Sequence, residues 1–143
     1  MKKILAIILV VIVIFAIGNS CSKKNQKASV PQTTEEKIRA LYLESMTAIM
    51  SGKNDSARQA LSSLVDIMGS SETSDTDKKT AECVYCFAAG VFKLMITEGG
   101  ISALQYPEVG LLSQNLEEYG NGGEITNFDE TLSIAKEFYQ LVK

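Results

Sequence analysis

From Thr33 to Val142 the apolar side chains return every three or four residues and never alternate for long at every second one. That period puts them on one side of a helix rather than one face of a strand, so the folded part is expected to be all-α with about five helices. Thr33 and Glu36 stand at capping-box spacing just after Pro31, a helix start. Ile38, Leu41, Tyr42, Met46, Ile49 and Met50 follow at helical steps, and Ser51-Gly52-Lys53-Asn54 breaks the run. Asn54 or Asp55 is expected to cap a second helix with Ala57, Leu61, Leu64, Val65 and Met68 inward, stopped by Gly69 as the C′ residue. Asp75 or Thr76 is expected to open a third, running to about Glu98. Its middle, Cys83 to Phe92, is apolar almost all round, which marks the central helix of a bundle. Ile101 to Tyr106 is expected to form a short helical turn. Pro107 suits the first turn of the next helix, with Val109, Leu112, Leu116 and Tyr119 inward. After Gly120-Asn121-Gly122-Gly123, Thr126 or Asn127 caps a last helix carrying Phe128, Leu132, Ala135, Phe138, Tyr139 and Val142.

Charge divides the chain. From residue 33 on there are nine basic residues and seventeen acidic ones, a net charge of −8, and none of the nine lies between Lys93 and Lys136. That stretch holds Glu98, Glu108, Glu117, Glu118, Glu124, Asp129 and Glu130, either a solvated face or a face for a basic partner or a cation. A domain this acidic lacks the basic footprint that nucleic acid requires. Residues 22–34 hold Lys23, Lys24 and Lys27 with only Val30 as a branched apolar residue. Such a segment buries too little to offset its ordering entropy and reads as a tether. An anionic lipid surface would attract its lysines.

The first 20 residues explain why a tether is there. Lys2 and Lys3 precede an unbroken apolar run of 14 residues, Ile4 to Ile17. A bilayer span needs roughly 20 apolar residues and an export signal about 7–15, so the run fits the signal. Small polar residues, Gly18-Asn19-Ser20, then lead to Cys21. On these residues alone an ordinary export signal or an uncleaved anchor stays open. Ser20-Cys21 resembles the end of the lipobox of bacterial lipoproteins, with Gly18 standing where Leu or a similar residue is usual. The resemblance implies cleavage after Ser20, acylation of Cys21, and a domain on the extracytoplasmic side of the cell membrane or outer membrane. In Gram-negative lipoproteins Asp after the lipidated Cys favours the inner membrane, so Ser22 leans to the outer one. The expected organisation is a signal peptide over 1–20, a lipidated Cys with a basic tether over 21–33, and a helical domain over 34–143.

Apolar residues follow Gly52 at Ala57, Leu61 and Leu64, and follow Gly123 at Phe128, Leu132 and Ala135, with the same offsets of five, nine and twelve. The two glycines lie 71 residues apart, near twice the roughly 34-residue period of a tetratricopeptide repeat. The segment Ala48 to Leu61 resembles the turn of such a repeat, with Gly52, Ala57 and Leu61 on matching positions. Pro107 cuts what should be an intervening helix. The expected form is a small helical bundle or a tetratricopeptide-like array.

The chemical inventory is thin. The chain has no His and no Trp, which excludes a Ser-His-Asp triad, a Cys-His dyad, a His-ligated zinc site and a Cys-x-x-Cys-His haem attachment. Asn54, Asp55, Glu72, Asp75 and Asp77 offer oxygen ligands without calcium-loop spacing. Cys83-Val84-Tyr85-Cys86 is the sharpest motif. Three readings stay open: two buried core thiols, a short local disulfide, or a redox or metal role. The redox reading wants the first Cys at a helix N-terminus, whereas Cys83 falls roughly two turns inside a helix. No catalytic, cofactor or metal set is read. The expected role is binding: a protein-binding or scaffold module in the envelope, anchored by lipid on Cys21, with Tyr42, Tyr106, Tyr119 and Tyr139 as candidate contact aromatics, core packing being the favoured role for Tyr42 and Tyr139. The alternatives are a thiol oxidoreductase using Cys83 and Cys86, or a helical pocket for a small or lipidic ligand.

Overall fold

The computed structural model describes residues 32–98 and 105–143. These form five helices: α1 (Thr34–Met50), α2 (Asn54–Gly69), α3 (Asp75–Thr97), α4 (Pro107–Gly120) and α5 (Phe128–Val142). No strand occurs among the described residues, so the domain is all-α. The short turn expected at 101–106 falls largely outside the described residues; Tyr106 is the N-cap of α4.

Each start and stop has a local cause. At α1 the Glu36 N–H donates to Thr33 Oγ1 (3.2 Å) and the Thr33 N–H donates to Glu36 Oε2 (2.9 Å), the reciprocal pair of a capping box. Its other end is a Schellman turn: the Gly52 N–H reaches Ile49 O and the Lys53 N–H reaches Ala48 O (2.9 Å). Gly52 takes φ +69°, which a side chain would resist. The end of α4 repeats this device, with Gly122 at φ +99° and the Gly123 N–H on Glu118 O. α3 opens at Asp75, as expected, and Ser74 caps it: its hydroxyl oxygen accepts from the Asp77 N–H (3.1 Å). Lys53 rather than Asn54 or Asp55 precedes α2, with no side-chain cap bond. Gly69 is the last residue of α2 itself, followed by an extended Ser70. Asn127 precedes α5 in the left-handed region, φ 49°.

α3 is the hub. It packs against α1, α2, α4 and α5, and eleven of its 23 residues are buried, as its all-round apolar middle requires. Its length and hydropathy would also suffice to cross a bilayer, but most of that apolar window is buried inside the domain. The contacts Glu82–Lys136, Tyr85–Tyr139 and Lys93–Lys143 advance together along α3 and α5, so these two helices run parallel. They meet closely at Gly90. A Cβ there would lie 2.5 Å from the ring of Phe138, so only a bare backbone lets this fully buried ring sit down. Phe87 and Tyr106 flank the same ring at centroid distances of 6.2 and 5.9 Å.

Of the two expected forms, the described helices make the small bundle. α1 meets α4 as well as α2 and α3. The two glycine turns that suggested a repeat are also unlike. α2 begins two residues after Gly52, whereas α5 begins six after Gly122, the true counterpart in place of Gly123. The inward positions hold with two exceptions: Met50 and Val65 are exposed.

Candidate functional site

Cys21 and Ser20 lie outside the described residues, as do most of the tether and its lysines. The domain offers two places to look: the thiol pair of α3 and the acidic stretch of α4 and α5.

Both thiols are free and buried. They sit three residues apart on α3, near its contact with α5. The Cys83 thiol is pushed up to about 12, by burial first and then by the nearby Cys86 and Glu82. The Cys86 thiol is pushed up to about 11, again by burial first; Glu82 adds to this and Lys136 opposes it. Lys136 is itself paired with Glu82 at 3.2 Å. Cys83 is eight residues past Asp75, the first residue of α3, and the favourable field of a helix N-terminus falls off within its first turn. A nucleophilic thiol needs that field or a cation to lower its pKa. Here burial drives it the other way, and both groups are protonated at neutral pH.

The acidic stretch is mostly open to solvent. Glu98, Glu118, Glu124, Asp129 and Glu130 are exposed, while Glu108 and Glu117 are half-buried. Burial holds the Glu117 carboxyl above the usual carboxylate range. Tyr42 of α1 lies close enough to feel its charge, and burial with Glu117 raises the Tyr42 phenol. No basic residue occurs in this stretch of sequence, yet Arg39 reaches it from α1. The Arg39 guanidinium donates to the carbonyl oxygens of Tyr119 and Gly123, the latter at 2.6 Å. It also lies 4.2 Å from the Tyr119 ring centroid and pairs with Glu35. The cation thus caps the negative end of the α4 dipole. Sequence reading missed this role because Arg39 and Tyr119 are 80 positions apart.

The four candidate tyrosines separate. Tyr42 and Tyr119 are buried, at 5% and 3% exposure, so Tyr119 is a packing residue and not a free contact aromatic. Tyr106 stands edge-on to Phe138, and Tyr139 stacks at a tilt on Tyr85. The acidic groups near the start of α3 do not converge. Asp77 accepts from the Ser74 hydroxyl, and no group of three His, Cys, Asp or Glu side chains is placed to hold a metal ion among the described residues. A shallow, open depression lies on α5, lined by Lys136, Glu137, Gln140 and Leu141. It lacks the enclosed apolar walls of a small-molecule site. Compared with known proteins, the chain matches no family model, no curated protein and no solved structure.

Proposed function

We propose that this chain is a membrane-anchored lipoprotein whose acidic helical domain serves as a protein-binding or scaffold module in the cell envelope. The observation that carries the reading is the order of its parts. A basic start, a 14-residue apolar run, Ser20-Cys21 and a basic tether are followed by a domain whose first helix opens at Thr33 and Thr34. Acyl chains on Cys21 supply the anchor, each buried methylene contributing roughly 0.8 kcal/mol. The tether then gives the domain a typical reach of roughly 20 Å, and about 45 Å at full extension. The domain faces the extracytoplasmic side of the cell or outer membrane. Binding is favoured over thiol chemistry because Cys83 and Cys86 are buried and held protonated.

The anchor is tested by growing bacteria that express the full chain with a radioactive fatty acid. Label should enter the protein and disappear in Cys21→Ala; label that persists in the variant, or never enters the native chain, refutes acylation at this residue. Display is tested separately, by a photo-crosslinker placed at the exposed Glu118 or Glu124. Capture of one envelope protein supports it, and no protein above background removes it.

A further inference from the structure

α4 is held by few buried side chains. Three of its fourteen residues, Leu112, Leu116 and Tyr119, are buried, against eleven of 23 in α3. Its N-cap, Tyr106, makes no side-chain bond, as is also true at α2 and α5. A helix of this length is marginal alone and depends on its packing. On α5 it is tied through Asn115 Nδ2, which donates to Thr131 Oγ1 (3.1 Å). On α1, the Tyr119 hydroxyl reaches Glu35 O at a long 3.4 Å. The stronger ties to α1 converge on one side chain. Arg39 bonds the carbonyls of Tyr119 and Gly123, covers the Tyr119 ring, and is itself steadied by Glu35.

We infer that α4 is a latched helix, closed onto α1, α3 and α5 while Arg39 grips its C-terminus, and able to open as a unit while α1, α2 and α3 stay folded. Elements with few buried apolar side chains open at lower free energy than the core they cover. The Gly122 turn provides the pivot, since its backbone already occupies a conformation open to glycine. Opening removes Gly120 from the Tyr42 ring, which its backbone now covers, and releases a segment bearing Glu108, Glu117 and Glu118. The acidic surface therefore has two states, independently of whether Cys21 carries lipid.

Hydrogen exchange on the full chain in mild detergent, read peptide by peptide, tests this. In the native chain the amides of α4 should exchange faster than those of α3. Arg39→Ala should speed α4 by about 10- to 100-fold, the size expected for lost charge-assisted bonds, and leave α3 unchanged. Arg39→Lys, which keeps the charge but not the fork, should fall between. Leu64→Ala, at a fully buried position of α2, is the contrast and should speed α3 as well. Native α4 amides as slow as those of α3, or an Arg39→Ala effect shared equally by every helix, would overturn the inference.

Discussion

At the scale of single residues, the glycines show how closely sequence is tied to packing. Gly90 and Gly110 are both helical, and a helix pays for glycine with roughly 1 kcal/mol relative to alanine. At Gly110 nothing lies within 4 Å of an added Cβ, so Gly110→Ala should stabilise by about 0.5–1 kcal/mol. At Gly90 the same methyl meets the Phe138 ring, which Phe87 and Tyr106 hold in place. Overpacking of about 1–3 kcal/mol then exceeds the helical gain, so Gly90→Ala should lower the unfolding midpoint. Thermal unfolding of the two variants decides it: equal signs would show that the ring moves aside.

The same comparison shows what can be read from a sequence. Gly90 sits unremarked in an apolar run because its partner is 48 positions away. Arg39 is likewise one basic residue among nine until α4 folds back on α1. The capping box of Thr33 and Glu36 is legible because both partners lie within one turn. The start of α2 is less so: Asn54 and Asp55 have capping side chains, yet Lys53 precedes the helix and no side chain caps it, so side-chain type alone misplaces that start by a position. Tyr119 carries an apolar ring and a polar tip, and which end matters depends on the element that covers it.

At the scale of elements, the α1–α4 seam carries a charge that the fold opposes. The folded state raises the pKa of Glu117 through burial. It therefore holds this proton more tightly than the unfolded chain does. The associated stability is fully present below the ordinary carboxylate range and is lost as pH rises through the folded value. Glu117→Gln removes the ionisation and should raise the unfolding midpoint at pH 7 by about 1–3 °C, a small effect because the group is half-exposed. The gain should vanish near pH 3, below the ordinary glutamate value of about 4.3. A variant no more stable than the native chain at pH 7, or a gain that persists in acid, would show that burial of this carboxylate has no cost.

The remaining elements follow from amphipathic spacing. α1, α2 and α5 were legible as helices from their apolar steps, and α3 as the hub from its lack of a polar face. The apparent repeat was not legible in the same way. Equal offsets after Gly52 and Gly123 arise from different turns. A helical period recurs in any helical hairpin, so it cannot by itself identify a repeating unit.

For the whole molecule, residues 32–143 form one compact unit by their internal contacts. All seventeen acidic residues fall within it, against nine basic ones. This unit should fold without the preceding chain, giving a helical circular-dichroism spectrum and one cooperative melt. With its net charge of −8, it should stay in the supernatant when vesicles of anionic lipid are sedimented. A broad, non-cooperative melt would show that the preceding residues complete the fold, and co-sedimentation would show that the domain meets lipid directly.

The place where α1 begins has a mechanical consequence. Any pull delivered through the residues ahead of Thr33 enters the domain at the first turn of α1, where the capping box closes the helix end. Arg39 stands about one turn further in and joins that part of α1 to the C-terminus of α4. A pull entering there loads the exposed bonds of the capping box and passes to both neighbours of that part of α1, to the C-terminus of α4 through Arg39 and to α3 by direct packing.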